Sequence, residues 1–562
     1  MSRMTGAQYF ADAFDAYGVE SVFLVPTILS KTLVEIEQRT DIKRIITHGE
    51  KAAVYMADGY ARATGRPGVC FAQNIGASNL AAGLRDPFLG GSPIVALTGG
   101  PFEMSRGRHY YQEIVDLPSF QNLTKWSESV PSIDRLPDML GNAFRIATTG
   151  MPGPVHLELP GHAGKELDHA TFDAPDIEAS VWAVPAVRTA LEPAALEAAV
   201  AGLRAAQRPV IVAGGGVRSS GARAELLALA EALNAPVVTS MNAKDTFPAR
   251  HRLSAGISGL YSRPSANQVI KESDLVFFIG SQTGSQVTLM YTVPEPDKRI
   301  LHLDIEPSRP GRHYPNTLPL IADAKVGIAQ IVGALGDDGG VDRTAWAARA
   351  ASLVEKWRHS VAETVESDAV PMRPERVINE LTRLLPSDAL VVSDTGHSGM
   401  WTGGYLDLNH PDQSFIRAAG SLGWGLPAAI GAQIGAPDRP VVLFTGDGGL
   451  WYHIGEIETA VRWNVPVVIV VNNNKALNQE IHNYTLAYGG ELHGRHEELW
   501  HFKDVSLAGI ATAMGATGIT VNKPGDFEAA FDQAIQTRGP VLIEAVTDIE
   551  GLAPRGTADP GL

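Results

Sequence analysis

The stretch Thr445–Asn474, TGDGGLWYHIGEIETAVRWNVPVVIVVNNN, decides how this chain is read. A β-branched run ends in Gly446-Asp447-Gly448-Gly449, a helical pattern follows, and a second β-branched run ends in Asn472-Asn473-Asn474. Strand, turn, helix and strand in that order form a crossover between parallel strands. Asp447 and Asn474 stand 27 positions apart, each just past the C-terminal end of a predicted strand. Neighbouring parallel strands open a crevice at those ends, so the two side chains should meet there. Carboxylate, amide and carbonyl oxygens suit a hard cation such as Mg2+, which completes its shell with phosphates. The glycines let backbone N–H groups approach a diphosphate at a helix N-terminus.

Working outward, the same grammar recurs in three blocks. In the first, residues 21–25, 44–47, 68–72, 93–98 and 152–159 read as strands, most followed by helical patterns. Residues 161–193, rich in Asp, Ala and Pro, read as a linker. The second block opens at PVIVAGGGV (209–217), continues through APVVTS, DLVFFIGS and RILHLDIEP, and exits at Asp337-Asp338-Gly339-Gly340. A helical stretch from Thr344 to about Asp368 leads to the third, with strands at 389–396, 440–449, 465–474 and 540–548. The expected fold is α/β, three consecutive domains with parallel sheets flanked by helices. They cover residues 1–165, 190–340 and 370–550, and a flexible Gly/Pro-rich tail, 551–562, is a lid candidate.

Composition narrows the class. The 562 residues carry 46 Lys+Arg against 62 Asp+Glu, a formal charge of −16, which argues against nucleic acid or an anionic membrane as partner. One cysteine, Cys70, excludes an intramolecular disulfide framework and Cys-rich metal sites. The N-terminal stretch lacks the continuous apolar core of a signal peptide, and the longest aliphatic run, interrupted by Pro466, is too short to span a bilayer. A cytoplasmic enzyme is the expectation.

GDG followed by about 27 residues and Asn-Asn resembles the signature of thiamine-diphosphate (ThDP) enzymes, and the resemblance runs through nearly the whole chain. HGEKAAVYMADGYARATGRPGVC (48–70) looks like the segment of acetohydroxyacid-synthase-type enzymes that carries the cofactor-activating glutamate. AGSLGWGLPAAIGA (419–432) looks like the stretch that holds the aminopyrimidine ring. The resemblance implies a pyrimidine-binding, a central and a diphosphate-binding domain, in that order. It makes Asp447, Asn474 and the carbonyl of Ala476 the Mg2+ ligands. Gly446, Gly448, Gly449, His397 and Ser398 would contact the diphosphate. Gly420 would offer its carbonyl to the 4′-amino group, with Leu422 under the bend of the cofactor. Glu50 would hydrogen-bond N1′ and favour the imino tautomer that removes the C2 proton, so the protein tunes a base while the cofactor carries the carbanion chemistry. In the family this glutamate serves the cofactor of another subunit, which implies a homodimer or homotetramer.

The reaction is less closely specified. No His-His pair of the pyruvate-decarboxylase type occurs. HYYQEIVD (109–116) resembles the Phe-Gln-Glu segment of acetohydroxyacid synthases and 2-hydroxyacyl-CoA lyases, which would turn Gln112 toward the reacting carbon. Where the synthases have Pro-Gly-Gly, this chain has Val25-Pro26-Thr27-Ile28, similar to the lyases and oxalyl-CoA decarboxylases, and Asn74-Ile75-Gly76 replaces the usual Gly-Pro-Gly. The leading expectation is therefore a 2-hydroxyacyl-CoA lyase releasing formyl-CoA and a ketone or aldehyde. An acetolactate-synthase-like carboligase or decarboxylase of 2-keto acids is the alternative, and a non-catalytic subunit the third. Val25, Thr27 and Ile28 are candidate pocket residues. Candidate bases for a substrate hydroxyl are Glu491, His493, His496, Glu497 and Glu498, and Arg555 in the tail could meet the phosphates of an acyl-CoA. No flavin-binding pattern is evident in the central domain. Gly215 and Arg218 in the Gly-rich turn, with Asp304 after the fourth strand of that block, are compatible with ADP and less so with FAD.

Overall fold

The computed structural model describes residues 3–177, 183–336 and 339–557. Half of the predicted exit turn, Asp337-Asp338, and the tail beyond residue 557 lie outside the described residues. Strand β1 (Arg3–Thr5) opens the chain, and six strands build the first sheet: β2 (Ser21–Leu24), β3 (Lys43–Ile46), β4 (Gly68–Ala72), β5 (Ile94–Gly99), β6 (Trp126–Ser129) and β7 (Val155–Leu159). Their order is β3-β2-β4-β5-β7-β6, all parallel. β8 (Thr171–Asp173) returns to pair antiparallel with β1, so the predicted linker starts late. Leu167, Ala170 and Phe172 anchor this return in the N-terminal core, a contribution hidden by the polar residues around them.

The central sheet comprises β9 (Pro209–Ala213), β10 (Val237–Thr239), β11 (Ser254–Ile257), β12 (Leu275–Ile279), β13 (Arg299–Asp304) and β14 (Thr317–Ile321), in the order β11-β10-β9-β12-β13-β14. The chain reverses direction across the sheet between β9 and β12, and a crevice opens at their C-terminal ends. The last sheet comprises β15 (Leu390–Ser393), β16 (Ser414–Arg417), β17 (Val441–Gly446), β18 (Val468–Asn473), β19 (Thr517–Val521) and β20 (Val541–Val546), ordered β16-β15-β17-β18-β20-β19. Inner strands such as β5, β9, β12 and β18 are buried along their whole length, as helices on both faces require.

The first and third domains share a core. The helix Glu50–Thr64 lies on the helix Gly425–Gly435 so closely that a Cβ on Gly59 would overlap the carbonyl of Ala428, and one on Gly431 that of Met56. Beside this crossing, Arg62 donates to Asp58 at 2.7 Å and to Asp86 at 3.2 Å. Asp58 also accepts from the Trp424 indole at 2.9 Å, and Asp86 accepts from the backbone N–H groups of Ala419 (2.9 Å) and Ser421 (3.1 Å). A paired and fully hydrogen-bonded ion cluster is what allows charges to be buried here. It also makes a carboxylate of the N-terminal domain hold the predicted pyrimidine segment of the C-terminal one. Among the described residues no helix is long and apolar enough to cross a membrane.

Candidate active site

β17 and β18 run parallel with Gly446 opposite Asn472, which brings the two diagnostic turns side by side. Asp447 is the first residue of a short helix, Asp447–Trp451, and is buried. Its carboxylate accepts from backbone N–H groups of Gly448, Ala476 and Lys475, while Oδ2 is buried without a partner. Burial outweighs those donors and pushes its pKa up to about 7. Asn474 is buried and its Oδ1 accepts from Ala476 N at 3.2 Å; the Oδ1 of Asn472 is also buried without a partner. Carboxylate and amide oxygens of this kind are ligand types that a Mg2+ ion accepts.

The glycines beside them serve close approach. A Cβ on Gly449 would sit 2.8 Å from Thr445 Oγ1 and 2.9 Å from Asp394 Oδ2, and one on Gly448 would strike Leu477. A Cβ on Gly446 would lie 3.6 Å from Ser398 Oγ, which places the start of the helix His397–Gly404 against this turn. Residues 418–425 cross in front. Gly420, at φ 148°, has open space around it, and the N–H groups of Gly423 and Gly425 donate to Asp394 at 3.1 and 3.2 Å. Leu422 is half-buried. Asp394 also accepts from Thr395 N and Thr445 Oγ1, yet complete burial still raises its pKa to about 6.

Glu50 is the first residue of its helix and half-buried. Asn79 Nδ2 donates to its Oε2 at 3.1 Å, and a Cβ on Gly76 would strike its carboxylate. The last glycine of the altered Asn74-Ile75-Gly76 turn is thus required by Glu50. Two residues earlier, His48 N donates to Glu456 at 2.9 Å, tying the Glu50 turn to the C-terminal domain. Gln112 has a left-handed backbone, φ 63°, and its Oε1 is buried without a partner.

The other sequence candidates divide. Thr27 is exposed and Val25 half-buried, but Ile28 is fully buried in the N-terminal core and drops out of the pocket-lining set. Thr27 N donates to Val25 O at 2.8 Å in a tight turn, and the Ile28 side chain packs in the core beyond that turn. Glu491, His493, Glu497 and Glu498 are exposed, and only His496 has a ring nitrogen that is buried and unpartnered. Arg555 is exposed, and its charge opposes protonation of His397. The tail residues 551–557 form no helix or strand, yet Gly556 N donates to Leu260 O at 2.8 Å and Asn267 Nδ2 to Thr557 O at 3.0 Å.

Gly215, Arg218 and Asp304 line one cavity of about 770 Å3 between the three domains, at the β9/β12 crevice. Gly214 and Gly216 pack on the backbone of Gly280, and Asp304 Oδ2 is buried without a partner. Arg62, Arg188, Arg309 and Arg417 join the wall from segments far apart in sequence, which no local motif could have grouped. Asn79, Asp86 and Asp394 escaped the sequence reading for the same reason, although Asp394 carries a faint signal as the residue just past a strand and before Thr-Gly-His.

Three family models match in chain order: thiamine pyrophosphate enzyme, N-terminal TPP binding domain, over residues 4–120; the central domain over 196–331; and the C-terminal TPP binding domain over 394–545. The chain is 30% identical to a probable acetolactate synthase large subunit of Methanocaldococcus jannaschii, over 97% of this chain and 92% of the relative. It is 28% identical to the acetolactate synthase isozyme 3 large subunit of Escherichia coli, over 98% and 96%. It is 31% identical to a sulfoacetaldehyde acetyltransferase of Alcaligenes xylosoxydans xylosoxydans, over 95% and 90%. With its three domains matched in this order, the chain belongs to the thiamine pyrophosphate enzyme family.

Proposed function

We propose that the protein is a ThDP- and Mg2+-dependent enzyme that acts on 2-keto acids in the manner of acetolactate synthase. The observation that carries this reading is end-to-end similarity to proteins named acetolactate synthase large subunits, which reverses the order expected from the Val25-Pro26-Thr27-Ile28 replacement. With Ile28 in the core, Pro26 and Thr27 are the exposed residues of that replacement, and Thr27, where the synthases have glycine, supports the 2-hydroxyacyl-CoA lyase as a second reading.

The buried, unpartnered Asp447 Oδ2 supports Asp447, Asn474 and the Ala476 carbonyl as holders of Mg2+. Gly448, Gly449, His397 and Ser398 would take the diphosphate, and Gly420 and Leu422 the aminopyrimidine. When bound, the cofactor supplies carbanion stabilisation. Glu50 would hold a proton at N1′ of a cofactor bound by a second subunit, its carboxylate steadied by Asn79. Gln112 would orient the reacting carbonyl from the N-terminal domain. Its neighbours Met104, Tyr111, Ile114 and Val115 are exposed apolar residues that a second copy would cover, in a homodimer or homotetramer. In the central cavity ADP is the proposed occupant ahead of FAD, with Asp304 Oδ2 for ribose hydroxyls and Arg218 with the Gly214–Gly216 backbone for phosphates. Location in the cytoplasm is part of the same proposal.

The test is a substrate panel with ThDP and Mg2+. Pyruvate should give acetolactate and CO2. Turnover of formyl-CoA with an aldehyde, or of sulfoacetaldehyde, without turnover of pyruvate would overturn the reading. Mass spectrometry of ligands released from the purified protein should find ADP; FAD or no nucleotide would overturn that part.

A further inference from the structure

Asn478 joins His397, 81 residues before it, to Ile549 and Gly551, 71 and 73 residues after it. Its amide is buried: Nδ2 donates to the carbonyls of Ile549 (3.2 Å) and Gly551 (3.1 Å), and Oδ1 lies 2.8 Å from His397 Nδ1. Carbonyl oxygens only accept, so both Nδ2 protons are committed to the C-terminal segment and the amide cannot flip without losing two hydrogen bonds. Oδ1 then has to face His397, and His397 has to carry its proton on Nδ1. The neutral ring therefore presents Nε2 as a lone pair, an acceptor.

A diphosphate offers only acceptors as well. A neutral His397 in this tautomer cannot donate to it, and a hydrogen bond to the anion requires a second proton on Nε2. The charged groups that face the ring come from two elements. Arg555 of the C-terminal segment and the burial of the ring disfavour the cation; Glu480, two residues after Asn478, and the Asn478 bond itself favour it. Before the anion arrives burial dominates and the ring stays neutral. The anion's own charge then tips the balance.

We propose that Asn478 is a positioning residue of the cofactor site: it holds His397 as the Nδ1–H tautomer and makes that setting depend on the docked segment around Ile549–Gly551. Binding of the cofactor's diphosphate then takes up one proton at His397 Nε2. The inference rests on the reading that His397 contacts the diphosphate, and the experiment separates the two.

ThDP with Mg2+ is titrated calorimetrically into the full-length cofactor-free protein at pH 8, in buffers of different ionisation enthalpy, which counts protons taken up on binding. The wild type should take up about one proton more than His397→Gln, whose amide donates without titrating. The difference cancels protons exchanged by Asp447 and by the cofactor itself. Asn478→Ala, which frees the ring to carry its proton on either nitrogen, should lose most of that extra proton and bind roughly tenfold more weakly. Asn478→Asp, which keeps an acceptor for Nδ1 but cannot donate to residues 549 and 551, should restore affinity only in part. Equal proton counts in wild type and His397→Gln, with His397→Ala binding weakly, would overturn the positioning role while leaving the diphosphate contact in place. Wild-type affinity in His397→Ala would overturn the contact and the proposal together.

Discussion

The N-terminal and C-terminal domains wind six strands in the same order, β3-β2-β4-β5-β7-β6 and β16-β15-β17-β18-β20-β19, yet carry different chemistry at matching places. In both, a helix follows the second strand: Glu50–Thr64 in one and Gly425–Gly435 in the other, and these twin helices are the pair packed glycine to backbone. The third strand ends in Gln73-Asn74-Ile75-Gly76 in the first domain and in Gly446-Asp447-Gly448-Gly449 in the second. The fourth ends in Gly99-Gly100 and in Asn472-Asn473-Asn474 respectively. One twin uses its turns to seat a carboxylate, Glu50 on Gly76; the other uses the same turns to bury Asp447 with an unpartnered oxygen, the place proposed for the cation and diphosphate. Fold sets where chemistry can be placed, and the residues at the strand ends decide which chemistry it is.

The sharpest way to break that comparison is to exchange effects between twin positions. Asp447→Ala should abolish Mg2+-dependent ThDP binding and lower activity by at least ~100-fold, since supporting partners around metal ligands alone are worth about 10–100-fold. Asn74→Ala, at the matching strand end of the first domain, should leave metal affinity within a few-fold of wild type. Calorimetric titration of Mg2+ in the presence of ThDP reads both. If the two variants lose metal affinity alike, the division of labour between the twins is wrong.

Next in size is the helix crossing. Gly59→Ala and Gly431→Ala each force a methyl group onto a backbone carbonyl of the facing helix, and overpacking of this kind costs about 1–3 kcal/mol. Gly333→Ala, inside the helix Ala324–Leu335 with open space around it, should be neutral or stabilise by up to about 1 kcal/mol. Thermal unfolding midpoints distinguish them, and a crossing variant as stable as Gly333→Ala would mean the twin helices are not locked together.

The comparison also explains what could be read in advance. Strands buried on both faces, such as VFL in β2, VALT in β5, VVLF in β17 and VIVV in β18, are continuous apolar runs and stand out in sequence. In the three six-stranded sheets the strands missed were edges: β6 (WSES), β11 (SAGI), β14 (TLPLI), β16 (SFIR) and β19 (TGITV). An edge strand covers one side of a neighbour and can be short, polar or proline-bearing, so its pattern merges with the loops. The site divides along the same line. Asp447, Asn474 and Glu50 sit on runs whose spacing is local. Asp86, Asp394 and Asn478 act by reaching across 31 to 335 residues to hold another segment's backbone or ring, and nothing near them in sequence records the partner.

The smallest effect concerns the first strands of the twins. β2 ends at Leu24 and is followed by Val25; β15 ends at Ser393 and is followed by Asp394. Val25 is half-buried and cannot titrate, whereas Asp394 is buried under the residues 423–425 it organises, with its pKa raised from 3.8 to about 6. A carboxyl whose pKa is raised on folding binds its proton more tightly in the native state than in the unfolded chain. Native protein therefore holds more protons between pH 3.8 and about 6, and the stability that Asp394 contributes below this window is lost as pH rises through it. The slope from one such group is about 1 kcal/mol per pH unit. In cofactor-free protein, the unfolding midpoint of the wild type relative to Asp394→Asn should fall steadily from pH 4 to pH 6 and level off by pH 7. A constant difference across that range would show that the four hydrogen bonds to Asp394 fully offset its burial, and that the two strand ends differ in shape alone. A falling one would show that the C-terminal twin keeps a strained charge under its pyrimidine segment, where the N-terminal twin keeps a valine.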